Sequence, residues 1–233
     1  MKKLERFILR DIIADGAAGT VYKAEEVLPG ENRRVVAIKV LPPIAEGRGG
    51  DQLGQELLDP RLTLIDDGSL DRAWTSRPFD DEGTPTRKLT LIQDGRPGAL
   101  LLDRKTAALL GGESSGNAGD RGVPEAHHLR LCAGEQTLQA LIRSIDCGLI
   151  IYDTMGSRTY HPYSGAVSGT ISLGLKIEKG EIVGRVKDCM FSVNAFEHLR
   201  HHLIACSRET EMAMDHLFPY LLLDEVVISG KSR

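Results

Sequence analysis

The chain has 233 residues, 41% hydrophobic and 27% charged, with a formal net charge of −4 at pH 7; this describes a soluble globular chain, one large domain or a domain with an appendage. Arg and Lys are interspersed with Asp and Glu and aromatics are only 5%, so there is neither a basic stripe for phosphates nor a stacking platform for bases, and nucleic acid is excluded as an expected partner. Cys132, Cys147, Cys189 and Cys206 lie far apart without a C-x-x-C pair, which points to reduced thiols rather than a disulfide frame or zinc knuckle. Glu5, Arg6, Arg10 and Asp11 interrupt the opening residues and no apolar run is long enough to span a bilayer. No signal peptide and no membrane contact are expected, and a cytoplasmic location is.

Residues 1–43 read as three strands. Phe7–Leu9 opens the first; Ile12–Ala24 passes through a glycine turn at Gly16 and Gly19; Val35–Leu41 forms the third after the polar turn Pro29–Asn32. The pattern resembles the small lobe of a protein kinase, with a glycine-rich loop over phosphates followed by V-A-I-K. On that resemblance Gly16 and Gly19 are the second and third glycines, Val21 covers the adenine and Lys39 supplies a point charge to phosphate oxygens. Ala14 stands where the first glycine belongs, and no H-R-D or D-F-G follows. Without a catalytic base or a magnesium site, phosphoryl transfer is not expected, and Gly16, Gly19, Val21 and Lys39 remain candidates for nucleotide binding only.

Residues 44–59, after Pro42-Pro43, are rich in glycine and charge and read as a linker or junction. A domain over 60–233 follows. Leu62–Ile65 is a short strand before Asp66-Asp67-Gly68, and an irregular stretch surrounds Trp74. Leu89–Ile92 and Ala99–Leu102 form a hairpin about Asp94-Gly95. Asp103 caps a short helix that Gly111 stops, and 111–119 is a glycine-rich loop. Leu129–Cys132 alternates as a half-buried strand. Thr137 caps a helix with Leu138, Leu141, Ile142 and Ile145 on one face, ended by Gly148. Leu149–Tyr152 returns as a strand, and a loop carrying Gly156, Tyr160, His161, Tyr163 and Gly165 follows. Ile171, Leu173, Leu175 and Ile177 alternate along a strand that turns at Glu178–Gly180 into Ile182–Val186. Asn194 and Glu197 begin a helix with Phe196, Leu199 and Leu203 inward. Leu221–Leu223 and Val226–Ile228 pair at the end. The fold class expected is α+β and β-rich: antiparallel sheets built from hairpins with a few short helices, preceded by a small three-stranded meander.

Several motifs in this second segment occur in order: F-D-D-E-G-x-P-T-R from Phe79, L-I-x-D-G from Leu91, S-S-G-N-A-x-x-R from Ser114, Gly148–Ile151, the run Ile177–Asp188, and Pro219–Asp224. Together they resemble the C-terminal domain of the TldD/PmbA metallopeptidase family, over about residues 50–233. The resemblance implies a β-rich domain working in cytoplasmic proteolysis or peptide maturation, as a homo- or heterodimer with a TldD/PmbA-type subunit. In the active branch an H-E-x-x-x-H helix and a cysteine hold the metal: two imidazoles face one ion, and the glutamate takes the proton from bound water. This chain has no H-E-x-x-x-H. The joining of the two resemblances reads as a fusion or a rearranged reading frame.

His198 and His202 are spaced i, i+4 with Cys206 a further turn on, so three donors could share a helix face. No glutamate follows His198 in the required place, and solvated histidines are expected instead. His127 and His128 point to opposite sides if extended, and Asp80, Asp81 and Glu82 read as a solvated turn. No catalytic residue, metal or cofactor is therefore assigned. The function expected is a non-catalytic domain that binds a partner subunit or an extended peptide or unfolded segment, by strand addition at a sheet edge. The alternatives are a peptidase subunit completed by a partner chain, and a nucleotide-binding remnant.

Overall fold

The computed structural model describes residues 54–70, 75–120, 122–161, 164–213 and 215–230, with the backbone alone for 156–161 and for four strands within the first fifty residues. Those four are β1 (Lys3–Leu4), β2 (Phe7–Ala14), β3 (Thr20–Val27) and β4 (Arg33–Val40), paired antiparallel in the order β1-β2-β3-β4. The stretch around Trp74 and the junction before residue 54 lie outside the described residues.

Among the described residues the remainder is β-rich, with two sheets and three short helices. The six-stranded sheet contains β5 (Leu64–Asp67), β6 (Lys88–Gln93), β7 (Arg96–Pro97), β8 (Leu129–Leu131), β13 (Leu203–Ala213) and β14 (His216–Leu223), in the order β13-β14-β8-β5-β6-β7. Its pairings are antiparallel except β14 with β8, which run parallel at Leu217 and Arg130. The five-stranded sheet is built on β10 (Ala166–Glu178). Along one side β10 pairs with β9 (Cys147–His161), and along the other with β11 (Glu181–Val186) and β12 (Cys189–Asn194) in turn; β15 (Val227–Gly230) pairs β12.

The hairpin from β6 to β7 turns where expected: Asp94 and Gly95 both take positive φ, 49° and 75°, the geometry of a two-residue turn that matches strand twist. A Cβ on Gly95 would lie 2.3 Å from the Leu58 carbonyl oxygen, because Gly95 receives the N–H groups of Leu57 and Leu58. Residues 54–59 are thus tied against this turn, and Leu58 packs on the cluster of Leu62, Leu203 and Cys206. The second arm differs from expectation. Ala99–Leu102 is not a strand, because the backbone of Leu102 is taken by the serine loop: Ser115 Oγ accepts its N–H at 2.7 Å and Ser115 N donates to its carbonyl at 3.0 Å.

Helix α1 (Arg104–Leu110) begins on Asp103 in a reciprocal capping arrangement with Thr106 and stops at left-handed Gly111. Helix α2 (Leu138–Ser144) is capped by Thr137; it closes at Ile145, and Gly148 already belongs to β9. Ile142, Ile150 and Ile177 form the second cluster, with Leu138, Ile145 and Tyr220 against it, so Tyr220 on β14 joins the two sheets through α2.

Three further expectations are corrected. The loop placed at Gly156–Gly165 is strand up to His161, since β9 continues opposite Val167 and Ala166; long-range pairing overrides the local glycine signal. The alternation along β10 is broken by a register shift between Ile171 and Leu173. Ile171 and Ile177 are 1% and 0% exposed while Leu173 is 37% exposed, as a bulge that moves side chains to the other face demands. Leu221–Leu223 and Val226–Ile228 do not pair with each other; they belong to β14 and β15, in different sheets.

Candidate functional site

The motif-bearing segment builds a buried polar junction. Asp66 on β5 is fully enclosed: Oδ1 accepts the N–H groups of His127 and His128 at 2.9 and 2.8 Å, and Oδ2 accepts from Asn117 Nδ2 at 2.7 Å. Asn117 also donates to the Glu125 carbonyl, and its Oδ1 accepts from Ser115 Oγ at 2.8 Å. The His127 ring meets the Gly116 carbonyl through Nε2 at 2.7 Å. Gly116 has φ of 79°, and a Cβ there would stand 2.3 Å from the Pro85 carbonyl oxygen, so only glycine lets the loop lie against the F-D-D-E-G-x-P-T-R turn.

Asp80 is part of this junction, which corrects its reading as a solvated turn. It is 6% exposed; Oδ1 accepts from the backbone N–H groups of Glu82 and Thr84, and Oδ2 from that of Ala118 at 2.9 Å. Burial pushes its carboxyl up, but the three backbone donors, with Arg104 nearby, outweigh it and hold the group below the usual carboxylate range. Asp81 and Glu82 are exposed, as expected. Each carboxylate oxygen here is occupied by backbone or amide donors, so the junction fixes loops and offers no free base or ligand.

The open feature is an apolar groove of about 430 Å³ between the two sheets. Leu141 of α2 and Ile145 at its C-cap, Ile150 of β9, Phe191 and Val193 of β12 and Leu221 of β14 line it, and among the described residues no charged side chain contributes. Tyr220 is also in the wall, its ring edge-on to Tyr152 with centroids 6.0 Å apart. Burial, together with Glu211, pushes its phenol above the ordinary value, so Tyr220 acts there as a neutral wall rather than an acid or base. Two of the motifs, Gly148–Ile151 and Pro219–Asp224, contribute to the walls, but nothing in their aliphatic runs announces a groove.

The histidine helix differs from its expectation. Helix α3 (Ala195–His201) ends before His202, and Cys206 lies on β13 inside the first core cluster. Burial raises the Cys206 thiol, which favours the protonated form over a metal-binding thiolate. Phe196 is 41% exposed rather than inward. His198 is half-buried, not solvated. Asp59 and Arg61 pair beside this region, with Asp59 Oδ2 at 2.6 Å from Arg61 Nη2.

Of the nucleotide candidates, Gly16 and Gly19 lie outside the described residues, and Val21 on β3 stands opposite Lys39 on β4 in the antiparallel register. Among the described residues no helix is long and apolar enough to cross a membrane.

Residues 44–230 match the family model of the PmbA/TldA metallopeptidase C-terminal domain, and the chain belongs to that family. Among curated proteins it is similar to a metalloprotease of Methanothermobacter thermautotrophicus (28% identical over 83% of this chain and 40% of the relative) and to metalloprotease PmbA of Escherichia coli O157:H7 (27%, over 78% and 38%). Among solved structures it is similar to a Thermotoga maritima protein, TM-score 0.72 and 27% identical, covering 81% of this chain and 42% of that one. TldE of Thermococcus kodakarensis shares the fold, with a TM-score of 0.70 at 19% identity over 91% of this chain and 62% of that one. The chain spans about 40% of the length of the curated relatives it matches.

The family name implies a metal. Among the described residues no group of three or more His, Cys, Asp or Glu side chains is arranged to hold one, and Cys206 belongs to the first core cluster. A three-ligand peptidase centre does not fit these residues.

Proposed function

We propose that this chain is a non-catalytic PmbA/TldA C-terminal domain that receives an extended apolar segment of a peptide in proteolysis or peptide maturation. The groove between the sheets carries this reading: its walls are aliphatic and aromatic with no charge, which suits apolar side chains and repels solvated ones. β9 and β15 each pair on one side only in the five-stranded sheet, leaving backbone donors and acceptors for strand addition beside the groove. One leucine-sized side chain transferred into it contributes about 1.5–3 kcal/mol, so two or three alternate residues contribute about 3–9 kcal/mol against the entropic cost of association. Four unpaired cysteines support a reducing, cytoplasmic setting.

The test is a fluorescence-anisotropy titration of the full chain with a labelled ten-residue peptide of alternating leucine and serine, and with an analogue bearing aspartate for leucine. Saturable binding of the first alone, weakened by Leu221→Glu, supports the reading. Equal binding of both peptides, or of neither, overturns it.

The match of residues 44–230 to a metallopeptidase family favours a second reading, a peptidase subunit completed by a TldD/PmbA-type partner; peptide cleavage appearing only on mixing with such a subunit would establish it.

A further inference from the structure

His198 and His202 stand with their ring centroids 5.0 Å apart and their planes inclined by 43°. Each ring is held through Nδ1. His198 Nδ1 lies 2.9 Å from the Asn194 carbonyl oxygen, and His202 Nδ1 lies 2.9 Å from Asp224 Oδ1. Both partners are acceptors, so Nδ1 carries the proton in each neutral ring and the lone pair rests on Nε2. His198 Nε2 is enclosed and has no hydrogen-bond partner. An orphaned buried acceptor costs free energy unless something occupies it. A ring fixed through Nδ1–H to a carbonyl or carboxylate, with Nε2 free, is the arrangement by which proteins orient histidine toward a metal ion.

We propose that His198 and His202 chelate one late first-row divalent cation, of the zinc, nickel or copper class, through their Nε2 atoms. The spacing agrees. With metal–nitrogen bonds of about 2.0–2.1 Å, each ring centre lies roughly 3.2 Å from the ion, and two rings at a near-tetrahedral angle stand about 5 Å apart. Imidazole suits these metals. Asp224 and Glu225, the latter 3.8 Å from His202 Nδ1, offset the charge of the ion and fix the His202 ring. The cation would clip the last turn of α3 to its cap residue His202, and the His202–Asp224 bond links that cap to the turn between β14 and β15, whose next residue, Val226, lines the apolar groove. This site differs from a peptidase centre: it has two protein ligands and no general base, and its role is to fix the end of α3.

The test is calorimetric titration of the full chain with zinc and with nickel, in a buffer that does not bind metal. One-to-one binding is expected in the unsubstituted chain and in His201→Gln, whose histidine is the exposed neighbour. It should weaken at least about tenfold in His198→Gln and in His202→Gln, and roughly tenfold in Asp224→Asn, which releases the ring without removing a ligand. Absence of one-to-one binding, or undiminished binding in the His198→Gln/His202→Gln double variant, overturns the proposal. Should either variant fail to fold, nickel broadening of the imidazole resonances in the unsubstituted chain decides. Selective loss of the His198 and His202 signals supports the site, and broadening confined to other histidines refutes it.

Discussion

The polar junction at Asp66 and the apolar groove beside α2 are both interior, and they are built on opposite terms. At the junction the Asp66 carboxyl group is 0% exposed and tolerated because three donors reach its two oxygens. At the groove the walls make no directional bonds, and space remains between them. A saturated polar cluster is rigid and chemically silent, whereas an unfilled apolar surface still has free energy to release. The polar motif residues are therefore the frame, and aliphatic runs, those of Gly148–Ile151 and Pro219–Asp224 among them, make the receptive surface.

The largest effect should come from breaking the junction. Asp66→Ala removes the acceptor of the His127 and His128 N–H groups and of Asn117 Nδ2 at once. At about 1–3 kcal/mol for each buried donor left unpaired, a loss of roughly 3–5 kcal/mol is expected in urea unfolding. A loss below about 1 kcal/mol would show that the junction does not hold the loops. Gly116→Ala should follow at about 2–3 kcal/mol, from positive φ and the backbone oxygen of Pro85.

Asp80 sharpens the comparison through pH. Its folded-state carboxyl is held below the ordinary value, so its contribution is present above the unfolded pKa of about 3.9 and is lost as pH falls through the folded pKa. Asp80→Asn should cost about 1–2 kcal/mol near pH 7, and the difference from the parent should shrink as the pH is lowered below about 4. A difference independent of pH between about 6 and 2 would mean that the carboxylate charge is immaterial.

The sequence carried the frame further than the site. Asp103, Thr137 and Asn194 act as helix caps because each places a side-chain acceptor at the first free N–H groups, a local signal. Asp94-Gly95 is equally local. Burial of Asp80 and the serine capture of Leu102 depend on contacts to Ala118 and Ser115, 38 and 13 residues away, and no periodicity reports them. The groove is less legible still. Leu141, Ile150, Phe191 and Leu221 come from four elements, and each alone reads as ordinary core. For His198 the i, i+4 spacing was visible, but the partner of His202 was not, since Asp224 is 22 residues on.

The smallest effect on stability should come from the groove. Leu221 is 36% exposed at its rim, so Leu221→Glu forfeits only part of a leucine burial, about 1 kcal/mol or less. The same substitution puts a carboxylate where an incoming apolar side chain would rest. Ligand burial there would leave that charge without water, and the chain would keep it hydrated by excluding the ligand. Apolar peptide binding is therefore expected to fall at least about tenfold while urea unfolding barely moves. The opposite split, a large loss of stability with peptide binding intact, would mean that the space between the sheets is closed core in solution and that recognition belongs to the strand edges alone.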